Sequence, residues 1–499
     1  MGGKVDEYLL DIVEKGDKGS NLLEIVTAPT LKNCEFVDVY AGRKRVLHIP
    51  NDYEMIIHTA GGDPRETDPA SHAASMVKRL VGDSKRIGAT PIAFGNVIDS
   101  NTGDIAMLES IANALVSMAN DNKLVIMNGE NAILGPRVNP AIQANVMGTM
   151  ISIIRSVDIT DYNLYSLFIK KGMAIVSNTT YARFDHKGMA VHMNLDGIGT
   201  KTEFYERLRA YERGLADFAA MNLDDTAKSG ARALGLFGMC EMNGDIPVNS
   251  ILAHTGTLGQ QIGVPIFLEF EQVGNRIMSY KPGVPAYNIS GAAISLIDEE
   301  RLMNPPKPSI GEHLIAIRGK PNPRSNGISD KRKIAVKLFG QEYQDTPEGR
   351  EMLEFLAEPS TVLYPVFKKL LDENVATSVY HMSGGAYNGK LARPLAENGF
   401  YVHMEGLFEP DRREIQLSDA MNTATRDAYG KWPMGNDGFI TTKDPDKAIK
   451  MIKDMGLEAK AVGRIGGPVV KEGAEYSGVD LKAFNGENVE YLYPVKKAA

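Results

Sequence analysis

The sequence is poor in cysteine, has no long apolar run and has no excess of basic residues. Its 499 residues include two cysteines, Cys34 and Cys240, which excludes a disulfide scaffold and a multi-cysteine metal site. This cysteine content fits a reducing compartment. No stretch of 18 apolar residues occurs, so no membrane span is expected. The apolar run within residues 1–21 is too short for a signal peptide and is broken by acidic residues. We therefore expect a cytoplasmic protein without a membrane partner.

The charge of the chain also gives no support for a polyanionic partner. The formal net charge is −8 and the isoelectric point is near 5.7. Acidic and basic residues are mixed along the chain and no long basic run is present, which argues against a nucleic-acid partner. No cluster of cysteine and histidine has the spacing of zinc ligands. The hydrophobic fraction of 43% is that of an ordinary globular protein.

Along the chain, segments with the two-residue period of a strand alternate with segments that have a helical period of about 3.6 residues. Strand-like runs such as 53–62, 90–98 and 123–129 are separated by segments with helical spacing at 68–81 and 104–121. The same order of strand and helix begins again after residue 188. This alternation predicts mixed α/β domains.

Two pairs of short segments indicate an internal duplication. "GDSKRIGA" (82–89) matches "DDTAKSGA" (224–231), and "NVMGTMISII" matches "NISGAAISLI". The offset from Asp83 to Asp225 is 142 positions, and that from Gly148 to Gly291 is 143. A nearly constant offset favours a repeat over chance similarity.

The loop "DGIGTK" (196–201) lies between a predicted strand and a predicted helix. It is either a tight turn or a phosphate and metal loop. Glycine permits close approach of a phosphate to the backbone, and the following helix adds positive potential. The loop is neither a G-x4-G-K-[ST] motif nor a G-x-G-x-x-G motif.

After residue 310 the pattern changes. A strand at 312–319 is followed by a Pro- and Gly-rich loop, "KPNPRSNGISD" (320–330). Further on, "VYHMSGGAYNGK" (379–390) predicts a strand and a loop, and "WPMGNDGF" (432–439) predicts another loop. These segments indicate a third domain.

Six of these motifs, in this order, resemble the aminoimidazole ribonucleotide (AIR) synthetase family, also called phosphoribosylformylglycinamidine cyclo-ligase or PurM-like. They are "DGIGTK", "DDTAKSGA", "NISGAA" (288–293), "NPRSNGIS" (322–329), "HMSGGAY" (381–387) and "WPMGNDGF". The resemblance covers about residues 175–495, and residues 35–160 look like a second copy of the family's N-terminal domain.

The resemblance implies an α+β fold with two N-terminal-type α/β domains and one C-terminal α/β domain. We place these domains at 1–170, which is degenerate, at 171–310, which carries the loop, and at 311–499. The family's homodimer of N-terminal domains would here be an internal pseudo-dimer of sheets. A further homodimer of whole chains is possible.

The resemblance also implies ATP and Mg²⁺ as cofactors and a small phosphorylated substrate. The implied catalytic residues are Asp225, Arg324, Asn326 and His381. The implied nucleotide-binding residues are Asp196, Gly197, Gly199, Thr200, Lys201, Asp83, Asn128, Glu130 and Asp224. The implied Mg²⁺ ligands are Asp196, Asp225 and Glu130, whose hard carboxylate oxygens suit this ion. For any single one of these acids, a helix cap or a solvated face is the plainer explanation.

The two copies are expected to have lost different parts of the motif. Copy one has "AGGDPR" (60–65) in place of "LDGIGT", and copy two has "LEFEQ" (268–272) in place of "NGEN" (128–131). Glu130 and Asp83 of one copy could then face Asp196 and Lys201 of the other. One intact composite site and one inactive site are therefore expected.

Departures from the family pattern put the substrate in doubt. Arg324 replaces the family histidine, and an arginine cannot shuttle a proton near pH 7. Trp432 and Pro433 replace the Phe-Asn pair of the last motif. The expected function is an ATP-dependent cyclo-ligase that makes aminoimidazole ribonucleotide. The alternatives are another ATP-dependent enzyme of the superfamily with an acyl-phosphate-type intermediate, and a non-catalytic nucleotide-binding relative.

Overall fold

The computed structural model describes residues 20–40, 44–156, 174–176, 179–184 and 186–495. The chain forms two compact units. Unit 1 comprises Met1–Glu206 and Ala231–Asn304, and unit 2 comprises Arg207–Gly230 and Pro305–Ala499. The predicted domain bounds remain predictions, and the N-terminal segment expected to lack a leader lies mostly outside the described residues.

The described part of the chain contains fourteen α-helices. They are α1 Ser20–Thr27, α2 Pro69–Arg86, α3 Ile105–Asp121, α4 Thr202–Leu208, α5 Gly214–Lys228, α6 Val248–Ile262, α7 Glu299–Met303, α8 Ile328–Phe339, α9 Pro347–Leu356, α10 Tyr364–Asp372, α11 Arg393–Glu397, α12 Arg412–Ala420, α13 Thr425–Lys431 and α14 Pro445–Asp454.

The same residues form twenty strands. They are β1 Val37–Tyr40, β2 Lys44–Leu47, β3 Tyr53–Gly61, β4 Thr90–Ser100, β5 Val125–Ile133, β6 Ala144–Arg155, β7 Ala174–Val176, β8 Thr179–Phe184, β9 Ala190–Gly197, β10 Arg232–Asn243, β11 Ile266–Gln272, β12 Ala286–Ile297, β13 His313–Arg318, β14 Ser378–His381, β15 Tyr401–Met404, β16 Gly438–Thr442, β17 Glu458–Arg464, β18 Val469–Lys471, β19 Ala474–Lys482 and β20 Asn488–Pro494.

The long helices of unit 1 begin where the sequence supplies caps. Asp68 accepts a hydrogen bond from the backbone N–H of Ser71 at the start of α2, and Pro69 occupies the first turn. Asp104 caps α3 in the same way through Met107. Each side chain satisfies an N–H that has no partner within the helix. The predicted helices at 68–81 and 104–121 are confirmed, and α2 continues for one further turn to Arg86.

Unit 1 contains two six-stranded sheets with the same strand order. One sheet has the order β5-β4-β6-β3-β8-β7 and the other the order β11-β10-β12-β9-β2-β1. Each sheet has four strands from one sequence copy and an outer hairpin from the other. The β1–β2 hairpin of copy one joins the second sheet through pairing of β2 with β9, and the β7–β8 hairpin of copy two joins the first sheet through pairing of β8 with β3. The two copies are therefore interlocked by exchanged hairpins.

The register confirms the equivalence that the sequence offsets indicate. Ala60 pairs with Gly148 in the first sheet, and Asp196 pairs with Gly291 in the second. The two glycines thus occupy the same position in the two copies. Copy one has Ala60 where copy two has the acidic Asp196.

The two sheets pack face to face and are related by a local twofold axis. Val138 forms an antiparallel bridge with Ile277 where the two copies meet. Asn288 donates to Asp99 over 2.6 Å, and Asn145 donates to Glu241, so each copy binds a buried carboxylate of the other. Burial raises the pKa of Asp99 to about 7 and that of Glu241 to about 8. These reciprocal contacts confirm the predicted internal pseudo-dimer of sheets.

A single apolar core joins the inner faces of these sheets. It includes Met55 and Ile151 of the first sheet and Met193, Phe237 and Ile294 of the second. A second core lies under α2 and α3, on the outer face of the first sheet. Burial of these apolar side chains is the main stabilising contribution to unit 1.

Unit 2 is built on one eight-stranded mixed sheet. The strand order is β14-β16-β13-β17-β15-β19-β18, and β20 pairs with β19. The largest side chain of its core is Trp432, the only tryptophan of the chain, which is fully buried. Together with the two sheets of unit 1, this architecture confirms the predicted α+β fold class with two N-terminal-type domains and one C-terminal domain.

The equivalent glycines give a first testable prediction. A Cβ at Gly291 would lie 2.0 Å from the carbonyl oxygen of Phe237, which is backbone in a central strand. A Cβ at Gly148 would first meet the Met76 sulfur at 2.4 Å, and this flexible side chain can move. Gly291→Ala should therefore lower the free energy of unfolding of unit 1 by about 2–3 kcal/mol, and Gly148→Ala by about 1 kcal/mol. Chemical unfolding followed by circular dichroism checks the order, which equal losses would contradict.

Helices that cross a membrane need about 20 residues and a high mean hydropathy. None in the described part of the chain satisfies both requirements.

Candidate functional site

The "DGIGTK" loop of unit 1 connects a strand to a helix, as predicted. Strand β9 ends at Gly197, a short 3₁₀ turn covers Gly199–Lys201, and α4 begins at Thr202. The half-buried Asp196 accepts a hydrogen bond from the backbone N–H of Gly197 over 2.7 Å. Gly199 has φ +61°, a conformation that residues with a Cβ rarely adopt. The glycine is therefore required by the turn itself.

The two polar side chains at the end of this loop point inward. Thr200 is buried, and Lys201 is fully buried, with its Nζ 5.9 Å from the centre of the Tyr205 ring. Thr202 Oγ1 donates to the carbonyl oxygen of Gly199 over 3.1 Å, which closes the turn. A lysine in this position is shielded from water, so its charge acts more strongly on any anion that enters the loop.

Asn128 and Glu130 line a cavity of about 330 Å³ in unit 1. Helix α1 and strand β5 of copy one form much of its wall, and His192 of copy two completes it. Buried Arg45 also lines it and donates to the carbonyl oxygen of Ile126 over 2.6 Å. The cavity is thus shared by the two copies and mixes polar and apolar groups, as small-molecule sites do. Asp83, Asp196 and Lys201 are not among the residues that line it.

The register corrects the expected loss of the Glu130 position in copy two. In the first sheet Val97 pairs with Glu130, and in the second sheet the equivalent Met239 pairs with Glu269. The letters "NGEN" and "LEFEQ" differ, but both copies keep a glutamate at this position. The sequence comparison missed it because β5 has one extra residue between Ile126 and Gly129 relative to β4, which displaces the motif by one position.

Asp83 lies near the end of α2 and is buried, where it pairs with Arg86 three residues later. Asp225 near the end of α5 pairs with Lys228 at the same spacing. The two predicted equivalents therefore make the same local contact, with a cation one helical turn further on.

In unit 2, three separate chain segments bring several of the predicted residues together. We call this group the His381 cluster. It consists of Asp224, Asp225 and Lys228 at the end of α5, Arg324 in the loop before α8, His381 at the end of β14, and Ser383 and Lys390 just after it.

The inner part of the His381 cluster is a buried ion pair. Arg324 Nη2 lies 2.8 Å from Asp224 Oδ2, and the side chains are 1% and 0% exposed. Asp224 Oδ1 also accepts from the N–H groups of Leu363 and Tyr364 at the start of α10, which favours a negative charge there. Burial raises the pKa of Asp224 to about 7, against the opposing attraction of Arg324 and these N–H donors.

Arg324 is further held on its other side. Nη1 donates to the carbonyl oxygen of Thr361 over 3.0 Å and lies 3.7 Å from Asp437 Oδ1. The guanidinium is thus surrounded by acceptors of the protein itself. Arg324 therefore holds the loop and Asp224 in place and is closed to solvent.

The outer part of the cluster is centred on Asp225. His381 Nε2 lies 3.1 Å from Asp225 Oδ1, Lys390 lies 3.4 Å from Oδ2, and Lys228 also pairs with it. Burial by itself would raise the pKa of Asp225, but these three neighbours hold it well below its usual range. The carboxylate stays ionised and accepts from all three.

His381 is neutral at physiological pH. Burial, reinforced by Lys228, lowers its pKa to about 3, although Asp225 opposes this. Its Nε2 is also 3.2 Å from Ser383 Oγ, and its Nδ1 has no hydrogen-bond partner among the described residues. His381 can therefore donate from Nε2 and accept at Nδ1 without changing its charge.

Asn326 follows Arg324 in the same loop but makes none of these contacts. Its side chain is 1% exposed, and within the described chain neither amide atom has a hydrogen-bond partner. The neighbouring Gly327 has φ +59° and packs directly against Trp432. A buried amide without partners is costly, so Asn326 is suited to bind a group supplied from outside.

Of the four predicted catalytic residues, three meet in the His381 cluster, whose members Lys228, Ser383 and Lys390 were not among the predicted site residues. Lys228 is signalled only by its i+3 spacing from Asp225, and Lys390 by nothing in the motif. Among the residues that the structure describes, no three His, Cys, Asp or Glu side chains are arranged to hold a metal ion. Asp196 and Glu130 lie in unit 1 and Asp225 in unit 2, so the predicted Mg²⁺ ligands stay a prediction.

The chain is similar to one protein family and, at low sequence identity, to several solved structures. Residues 42–150 and 174–268 match the family "AIR synthase related protein, N-terminal domain". PurL of Thermotoga maritima complexed with AMPPCP is 13% identical, with 61% of this chain and 44% of PurL covered and a TM-score of 0.36. The chain thus spans less than half of that structure. HypE of Escherichia coli is 13% identical, with 62% and 87% covered and a TM-score of 0.38.

Proposed function

From the match of residues 42–150 and 174–268 to the AIR synthase related N-terminal domain, we propose that the chain is an ATP-dependent cyclo-ligase. Its substrate is formylglycinamidine ribonucleotide and its product aminoimidazole ribonucleotide. The observation that carries the proposal is the convergence of Asp225, Arg324 and His381, predicted separately from three motifs, in one cluster of unit 2. Chance would not bring three such distant segments together.

The His381 cluster supports a role in substrate binding rather than in proton shuttling. His381 is neutral and fixed by Asp225, and Arg324 is closed off by Asp224 and Asp437. The cluster can orient a polar substrate and stabilise developing charge, which are the main requirements of a phosphoryl-transfer and ring-closure reaction. Asn326 offers an amide for the same substrate.

Nucleotide binding is assigned to unit 1. The "DGIGTK" turn provides a Gly-rich strand-to-helix connection with a buried lysine, as an anion site requires. The oxygen donors Glu130, Asn96 and Asn128 on the cavity wall fit a hard cation, and Mg²⁺ bound with a nucleotide needs only one or two carboxylates. Mg²⁺ would neutralise phosphate charge there. Asp196 does not line this cavity, and it is a Mg²⁺ ligand only as the family resemblance implies.

One observation favours a second candidate, an ATP-dependent enzyme of the same superfamily with another acyl-phosphate-forming substrate. Arg324 stands at the family histidine and its guanidinium is occupied by a structural ion pair. Any step that the family histidine performs on its substrate has no equivalent group at this position.

A non-catalytic nucleotide-binding protein is the third candidate. An internal pseudo-dimer that pairs again as a homodimer is also part of the proposal.

A coupled assay tests the function. Protein, Mg-ATP and formylglycinamidine ribonucleotide are combined, and ADP and the diazotisable aminoimidazole are followed. Asp196→Asn should lower turnover by about 10²-fold, because one carboxylate that would hold Mg²⁺ against the phosphates is lost. The matched control is Asp298→Asn, which removes a carboxylate charge at the start of α7 in unit 1 and keeps an oxygen that can cap the helix.

Each outcome separates the candidates. Aminoimidazole from the parent but little from Asp196→Asn supports both the cyclo-ligase and the role of the loop. Mg-ATP binding by calorimetry without aminoimidazole moves the function to the second or third candidate. Failure to bind Mg-ATP rejects the nucleotide site in unit 1.

A further inference from the structure

Two lysines of unit 2 share a single carboxylate. Lys228 pairs with Asp225 Oδ1, and Lys390 lies 3.4 Å from Asp225 Oδ2. The third neighbour, His381, places Nε2 3.1 Å from Asp225 Oδ1. The outer part of the His381 cluster therefore carries two positive charges against one negative charge. Such a surplus attracts an anion.

The lysine pair is reachable, unlike the ion pair behind it. The side chains of Lys228 and Lys390 are 29% and 24% exposed. Those of Arg324 and Asp224 are 1% and 0% exposed. A ligand can therefore reach the two ammonium groups without opening the inner ion pair.

The loop beside the lysines supplies further donors. His381 lies 3.2 Å from Ser383, and the exposed Gly384 and Gly385 follow. In the described chain the backbone N–H groups of these two glycines donate to no acceptor. Nothing lies within 4 Å of a Cβ placed at Gly384, and Gly385 has φ +83°. Space and free N–H groups thus adjoin the positive charge.

We propose that Lys228, Lys390 and the Gly384–Gly385 turn form a binding site for a phosphate monoester group. A tetrahedral dianion accepts hydrogen bonds from two ammonium groups and from backbone N–H groups at once. Lysine binds phosphate as a point charge and needs no fixed fork geometry. The proposal rests on the proposed function insofar as this group belongs to the substrate of the His381 cluster. It adds Lys228 and Lys390, which are not among the site residues predicted from the sequence, to the glycine turn of the "HMSGGAY" motif.

The test measures binding of inorganic phosphate to the full chain without nucleotide. Calorimetry is run in a zwitterionic buffer on the parent, Lys228→Met, Lys390→Met and the double variant. Each single change should weaken binding by roughly tenfold or more, since a charged hydrogen bond is lost. The control is Lys471→Met, which removes a charge from the Lys471–Glu490 pair in unit 2 and should leave binding unchanged. Lys390→Arg should keep most of the affinity, and thermal melting confirms folding.

The outcomes of the two proposals are distinguishable. Phosphate binding that is equal in the parent, the double variant and the control overturns the lysine site, even if aminoimidazole is formed. Phosphate binding that depends on both lysines supports the site, even if no aminoimidazole is formed and the cyclo-ligase is rejected. Acetate that binds as tightly as phosphate, with the same dependence on the lysines, overturns the assignment to a tetrahedral dianion.

Discussion

Replacement of Arg324 by methionine is expected to lower the free energy of unfolding of unit 2 by about 3–5 kcal/mol. The change leaves the Asp224 carboxylate buried at 0% exposure without its counter-charge, and it also removes the cation beside Asp437. Arg324 has φ +48°, but methionine carries the same Cβ, so the backbone strain is common to both proteins. The expected loss therefore arises from electrostatics and hydrogen bonding.

The single tryptophan makes this loss measurable in one unit. Trp432 is fully buried in the core of unit 2, so its fluorescence during chemical unfolding reports this unit alone. The matched control is Arg318→Met, which breaks a two-pronged pair with Glu458 whose partners are 24% and 58% exposed. An exposed pair of this kind contributes at most about 1 kcal/mol. Equal losses in the two variants would contradict the assignment of a buried, dependent ion pair.

A double variant and a pH series separate the charge from the packing. Arg324→Met combined with Asp224→Asn should be less destabilised than Arg324→Met alone, because no unpaired charge remains. The pKa of Asp224, already raised to about 7 by burial, should rise further without Arg324. The carboxyl is then neutral at pH 5 and costs less there, so the loss in Arg324→Met should shrink from pH 8 to pH 5. A loss that is constant over this range would point to packing.

The alternation of strands and helices was predictable because it depends on the local spacing of apolar residues. The repeat was predictable for the same reason, since Gly148 and Gly291 occupy identical positions in the two sheets. Both features depend on residues close together in the chain. The fold class therefore followed from local patterns and from a resemblance that orders them.

The exchange of the outer hairpins could not be predicted in this way. Residues 35–160 look like one continuous copy of the N-terminal domain, yet β2 pairs with β9 of copy two. Which sheet a hairpin joins depends on the tertiary partner that covers its apolar face. Its own alternation of residues is the same in either sheet.

The site was predictable only where a motif marks it. Asp225, Arg324 and His381 belong to motifs and meet in space. Lys390 belongs to no motif, and it reaches Asp225 because a π-helical turn at Tyr387–Ala392 follows β14. That turn is not visible as a sequence period. Long-range charge pairs of this kind emerge only once the chain is folded.

The second large effect is expected in unit 1, where two equivalent arginines differ in their surroundings. Arg137 donates through both Nη atoms to Glu206, at 2.8 and 2.6 Å, and also to the carbonyl oxygen of Tyr287. Arg276 holds the equivalent place in copy two and donates from Nη1 to the carbonyl oxygen of Ala144. Within the described residues its Nε and Nη2 have no partner. Both Nη atoms of Arg137 thus have acceptors, whereas Arg276 uses only Nη1 among the described residues.

Arg137→Met should therefore lower the free energy of unfolding of unit 1 by about 3–5 kcal/mol, because Glu206 is left fully buried without a cation. Glu206→Gln should lose a large part of the same amount, because Arg137 keeps its charge. Arg276→Met should cost at most about 1 kcal/mol, since it removes one hydrogen bond and also removes buried donors that are unsatisfied. Burial lowers the pKa of Arg276, which is the direction expected for a charge without a carboxylate partner.

Circular dichroism and fluorescence together isolate this effect. Circular dichroism follows both units during chemical unfolding, while Trp432 follows unit 2. A shift that appears in the first signal and not in the second belongs to unit 1. If Arg276→Met destabilises unit 1 as much as Arg137→Met, the twofold equivalence extends to the energetics and Glu206 is not what distinguishes the copies. If Arg276→Met costs much less, the two copies have diverged where they meet. Copy two supplies Glu206 as the counter-ion of Arg137. Copy one supplies Arg276 with the carbonyl oxygen of Ala144, and Nε and Nη2 of Arg276 have no hydrogen-bond partner among the described residues.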